Sequence, residues 1–160
     1  MDRILGIDPG SYVTGWAAVV QEGRRLTVVD SGRIRLPAKA EVSSRLAQLQ
    51  QKLEEVLVRI VPQVVAIEDI FTHRNARSAL VLGQARGVAL AAAGRQGLPV
   101  FAYPPATVKR AVCGHGRAEK AQIQRMVQVL LSLQHVAPED EADAMAVAIC
   151  HALSRRGFKD

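Results

Sequence analysis

Four carboxylates are spaced along the chain so that a fold could gather them. Asp8 closes the apolar run Ile4-Leu5-Gly6-Ile7, and Glu68 closes a second run, Val64-Val65-Ala66-Ile67. Asp140 and Asp143 lie in Pro138-Glu139-Asp140-Glu141-Ala142-Asp143, where a helix would begin. A lone carboxylate at a strand end is ordinarily a solvated cap, and acids in the first turn of a helix offset its dipole. Two at the ends of buried strands, with a pair one helical turn apart, would instead make a concentrated negative site. Such a site suits hard, oxygen-seeking cations such as Mg²⁺ or Mn²⁺. On helical geometry Glu139, Asp140 and Asp143 fall within about 100° of one another, and Glu141 points away as a solvated acid. Periodicity alone does not separate Glu139 from Asp140.

The rest of the chain is basic, with a net charge of +6 and a pI near 9.9. From Phe71 to Arg125 there are nine basic residues (Arg74, Arg77, Arg86, Arg95, Lys109, Arg110, Arg117, Lys120 and Arg125) against Glu119 alone, a local excess of +8. The acids gather instead at positions 138–143. Basic flanks around an acidic centre are what cleavage of a phosphodiester backbone requires, since Lys and Arg hold phosphates while carboxylates hold the cations that act on one of them.

The elements that must position these residues can be read from hydropathy. Residues 3–8, 13–20 and 25–35 suit three strands, with a hairpin turn at Glu22-Gly23. Ser43 or Ser44 caps a helix to about Ile60, and Pro62 marks its end. Residues 64–68 form a buried strand, parallel to the first because a helix connects them. Asn75 caps a helix to about Ala93, Gly97 to Phe101 is a final short strand, and helices follow at 105–112, 119–133 and 139–156. This is an α/β chain: a mixed sheet with helices on both faces, with Asp8 and Glu68 at the strand ends where sites form in such sheets. The 160 residues read as one domain over 1–156 with a short tail at 157–160. Cys113 and Cys150 lack metal-site spacing and are expected to stay reduced in a cytoplasmic protein, and no apolar stretch is long enough for a membrane span.

With these residues in place, the chain resembles the RuvC family of bacterial Holliday-junction resolvases, within the ribonuclease H-like superfamily. The likeness runs from residue 4 to residue 152. It is carried by Gly6-Ile7-Asp8-Pro9-Gly10-Ser11 with Thr14-Gly15, by Ala66-Ile67-Glu68 with Phe71, and by Asn75-Ala76 through Gly83-Gln84-Ala85-Arg86-Gly87. Ala118-Glu119-Lys120 and Asp140-x-x-Asp143-Ala144 complete it. The resemblance implies a ribonuclease H-like fold with a five-stranded mixed sheet. It also implies a homodimer that resolves four-way junction DNA in recombination and repair, alongside the RuvA–RuvB branch-migration machinery. It makes Asp8, Glu68, Asp140 and Asp143 the catalytic, metal-binding acids, with two Mg²⁺ per site and Mn²⁺ able to substitute. It places Lys109 and Lys120 on the junction backbone near the cut and stacks Phe71 on junction bases. Arg74 and Arg117, in the same basic stretch, are further candidates for DNA contact. His115, in Gly114-His115-Gly116-Arg117, reads as a loop residue near phosphate rather than a general base.

Rival readings are open to test. The Asp8-to-Gly15 loop also looks like the first phosphate loop of actin-like ATPases and sugar kinases, but those need a second lobe for which the chain has no room. Another ribonuclease H-like nuclease, acting on RNA or branched DNA, would share the four acids. A non-catalytic junction binder would keep the basic stretch and have no use for them.

Overall fold

The computed structural model describes residues 2–69 and 75–155. β1 (Asp2–Asp8), β2 (Val13–Glu22) and β3 (Arg25–Arg35) form an antiparallel meander, turned at Gly23, whose φ of 59° a glycine adopts without strain. Helix α1 (Val42–Ile60) crosses over to β4 (Val64–Glu68), which runs parallel to β1. Helix α2 (Ala76–Arg95) leads to β5 (Val100–Tyr103), parallel to β4. The sheet order is β3-β2-β1-β4-β5, the expected five-stranded mixed sheet. Helices α3 (Pro105–Cys113), α4 (Lys120–Leu130) and α5 (Glu139–Ser154) complete the chain. Among the described residues no helix is long and apolar enough to cross a membrane, and both cysteines are free.

Strand alternation divides the interior into two cores. Leu5, Ile7, Trp16, Val65 and Ile67 face α1 and α2, whereas Ile4, Ala17, Val19, Val64 and Ala66 face α3, α4 and α5. Asp8 is two residues beyond Gly6 and Glu68 two beyond Ala66, so both carboxylates belong to the α5 side. Their strands are neighbours, with Ile7 registered on Ile67, so the two acids stand side by side one residue further on.

Several boundaries move. Helix α1 starts at Val42 after Glu41, without a side-chain cap, instead of at Ser43 or Ser44. The buried Arg45 stacks its guanidinium 4.8 Å over Tyr12, which draws the first turn onto the loop after β1. Asn75 caps α2 as expected, its side chain accepting from Ser78 N at 2.8 Å. The last strand runs 100–103 rather than 97–101, because Gly97 at φ 67° is spent on the turn that leaves α2. Helix α4 stops at Leu130, and Ser132 turns the chain with φ 52°.

Candidate active site

Helix α5 is the element that brings the late acids over the early ones, and two glycines let it do so. A Cβ at Gly15 would lie 2.0 Å from the carbonyl oxygen of Asp140, and one at Gly6 would lie 2.0 Å from that of Ala144. The backbone of α5 therefore rests directly on β2 and β1, closer than any side chain would permit. Gly15 is the register partner of Asp8, so the helix turn carrying Asp140 and Asp143 is seated beside Asp8. Small residues on α5, including Ala142, Ala144 and Ala148, are completely buried in this contact.

The electrostatics report the same convergence. Burial pushes the Asp8 carboxyl up to about 8, with the charges of Asp143, Glu68 and Asp140 adding to it and Lys120 opposing. Burial raises Asp143 to about 6, against the pull of Lys120 and with the help of Glu139 and Asp140. Glu68 is raised by burial and by Asp143, with Lys109 and Lys120 opposing. Asp8, Glu68 and Asp143, crowded in a partly desolvated site, give up their protons less readily than they would in water. Among the described residues no three side chains converge closely enough to form a ready-made ion cage. The donor set nonetheless fits hard divalent cations: it is all carboxylate oxygen, half-buried, and repulsive until positive charge arrives.

Next to the acids is a cavity of about 250 Å³, lined by Glu68, Asp143, Lys109 and Lys120 among others. Lys109 comes from α3 and Lys120 from the first turn of α4, so three helices and a strand end contribute charged groups to one space. Arg117 lies exposed in the loop between α3 and α4 and does not line this cavity. His115 lines a different one, with Arg125 and Cys113. Phe71 and Arg74 fall outside the described residues.

Glu141 corrects its expectation. It is not a solvated acid: Ser31 Oγ donates to it at 2.7 Å and Arg33 Nε approaches to 3.6 Å, so it ties α5 to β3. Other contacts left little trace in the sequence. Asp69, next to Glu68, is paired with Arg86 of α2 at 3.2 Å, and its N–H donates to Tyr103 O at 2.8 Å, which fixes the end of β4. Glu139 pairs with Lys120. Gly6 and Gly15 did carry a signal, since an isolated glycine inside a strand marks close backbone approach.

A five-stranded mixed sheet of order β3-β2-β1-β4-β5, with acids at the ends of two adjacent strands and an acid-bearing helix resting on them, is the architecture of the ribonuclease H-like class. Comparison with known proteins narrows the class. The family model "Crossover junction endodeoxyribonuclease RuvC" matches residues 4–151, and the chain belongs to that family. The RuvC protein of Citrifermentans bemidjiense is 52% identical over 151 residues, covering 94% of this chain and 92% of its own. That of Halorhodospira halophila is 50% identical over 155 residues, covering 97% and 92%. The structure of Thermus thermophilus RuvC in complex with Holliday junction substrate superposes with a TM-score of 0.91 at 34% identity, covering 98% of this chain and 97% of that one.

Proposed function

We propose that this chain is a Holliday-junction resolvase that cuts by metal-dependent hydrolysis, with Asp8, Glu68, Asp140 and Asp143 as its catalytic acids. The observation that supports this reading is the close seating of the α5 backbone on Gly6 and Gly15, beside a cavity lined by Glu68, Asp143, Lys109 and Lys120. Family membership supports the junction as substrate. The four acids would hold two divalent cations, Mg²⁺ or Mn²⁺, and bound there these supply Lewis acidity toward the attacked phosphate and the attacking water. The chain's own side chains do the rest. Lys109 and Lys120 bind backbone phosphate at the cavity and neutralise charge as it builds on the cut phosphate. The apolar floor under Asp8 and Glu68 keeps the acids fixed and partly dry. Phe71 stacks on junction bases, and Arg74 and Arg117 make further phosphate contacts.

The active species is a homodimer, because paired cuts in a two-fold symmetric junction need two sites related by the same symmetry. It works in the cytoplasm, in recombination and repair, with the RuvA–RuvB branch-migration machinery. Cleavage of four-way, duplex and single-stranded DNA and of RNA hybrids, with and without chelator, tests the reading. Paired nicks confined to the four-way substrate and abolished by chelator are expected. Preferential cutting of RNA would replace it with another nuclease of the same class, and junction binding without any cleavage would reduce it to a binder.

A further inference from the structure

Lys120 opens α4 directly after Glu119, and a reciprocal cap fixes the backbone there: the Glu119 side chain accepts from the N–H of Gln122, and Gln122 Oε1 accepts from the N–H of Glu119 at 2.9 Å. The side chain is another matter. It is 73% exposed, and an exposed lysine has four freely rotating bonds and no preferred direction. In this chain it has one, because Nζ donates to Glu139 Oε1 at the first residue of α5. Glu139 sits one residue before Asp140 and one turn before Asp143. The pair thus spans from α4 to the helix that carries two of the four acids, and it holds the ammonium where its charge reaches Asp8, Glu68 and Asp143.

With exposures of 73% and 48% for its two side chains, such a pair adds little to stability. Its consequence is where it puts the amine. We propose that Glu139 is a positioning residue for the cleavage reaction: it holds the Lys120 ammonium at the mouth of the acidic cavity, aimed at the incoming phosphate. Glu139 does not itself touch the cations or the cut bond. The inference rests on the reading of Lys120 as a phosphate contact. An unguided lysine would reach the same phosphate, but only from a fraction of its rotamers, so the loss falls on the rate of the bound complex rather than on its affinity.

The test is single-turnover cleavage of a saturating four-way junction by Glu139→Ala, Glu139→Gln, Lys120→Ala and the Glu139→Ala/Lys120→Ala double variant. Junction affinity in chelator and melting temperature are measured alongside. Glu139→Ala should slow cleavage by roughly tenfold, with junction affinity unchanged or tighter and the melting temperature within a degree or two. Glu139→Gln, which keeps an acceptor oxygen at the same reach, should recover part of the rate. In the Lys120→Ala background the Glu139 change should cost nothing more, since it acts only through that amine. A Glu139→Ala defect that persists without Lys120, and that shifts the cation concentration needed for half-maximal cleavage, would make Glu139 a fifth metal-site acid and overturn the proposal. A wild-type rate in Glu139→Ala also overturns it. If Lys120→Ala itself cuts normally, the phosphate role of Lys120 fails and takes the proposal with it, while Asp8→Asn still decides the four-acid reading separately.

Discussion

At the scale of single residues, the acids have two opposing duties. On the function proposed above they must be close enough to share cations, and that closeness, with their burial, is costly whenever cations are missing. Asp8 at about 8 and Asp143 at about 6 lie above the ordinary carboxylate value of 3.8, so the folded chain holds protons that the unfolded chain releases. Stability without cations therefore falls as pH rises from about 4 to about 8. Asp8→Asn removes the largest part of that dependence. In chelator it should melt several degrees above the wild type at pH 8, a gain of at most a few kcal/mol, and match it near pH 4. Melting curves at the two pH values check this, and equal curves at pH 8 would mean that neither burial nor neighbouring charge penalises the Asp8 carboxylate. The same variant should bind junctions and fail to cut them. Glu22→Gln is a suitable silent control, because Glu22 is exposed at a hairpin end; Glu141 is unsuitable, being tied to Ser31 and Arg33. Lys109→Ala should weaken binding at every sequence and lower the salt slope by about one unit if it meets one phosphate. An unchanged slope would take Lys109 off the backbone.

At the scale of elements, the seating of α5 decides whether the four acids form one site. The overlap at Gly15 is with a backbone carbonyl, which has no rotamer to escape into. Gly15→Ala must lift the first turn of α5 and carry Asp140 away from Asp8. A loss of roughly 1–3 kcal/mol is expected, with cleavage falling much further than junction binding. Gly94→Ala, at a helical glycine with open space around it, should instead stabilise by up to about 1 kcal/mol. Denaturant titrations of the two variants compare them directly, and a Gly15→Ala protein as stable and active as wild type would show that α5 has room to spare. The placement of Asp8 and Glu68 was legible because apolar runs that end in a carboxylate announce buried strands, and a helical connection implies parallel neighbours. Asp140 and Asp143 were legible as a pair, but the distinction between Asp140 and Glu139 was not. Both lie on one helical face, and only the height of α5 above the sheet, set by Gly6 and Gly15, separates an acid facing Asp8 from one facing Lys120. Glu141 was misread because helical periodicity says which face a residue takes but not that β3 would supply Ser31 and Arg33 to meet it.

At the scale of the whole molecule, α2 is only half used by a single chain. It packs through Ala85, Ala89, Ala92 and Ala93 against the core shared with α1. Leu80, by contrast, is 67% exposed, and among the described residues nothing lies within 4 Å of the place a Cβ would occupy at Gly83 or Gly87. Each helical glycine costs about 1 kcal/mol in propensity against alanine, and among the described residues of one chain no close contact offsets that cost at these two positions. Close approach of the same helix from a second copy would do so, since only glycine lets two helix backbones come that near. Gly87→Leu separates the possibilities. Among the described residues nothing stands within 4 Å of a Cβ at Gly87 in a lone chain, and leucine improves helix propensity, so the variant should fold at least as stably as wild type. Across a two-fold axis it meets its own symmetry mate, so the dimer should dissociate at concentrations where wild type stays paired. Sedimentation velocity over a dilution series reads the first effect, and the ratio of single nicks to paired cuts on a cruciform plasmid reads the second. The ratio should rise, because each released chain still owns a complete set of acids but has lost the partner that cuts the opposing strand. A folded Gly87→Leu protein that stays dimeric on dilution and cuts in pairs would move the two-fold axis away from this helix.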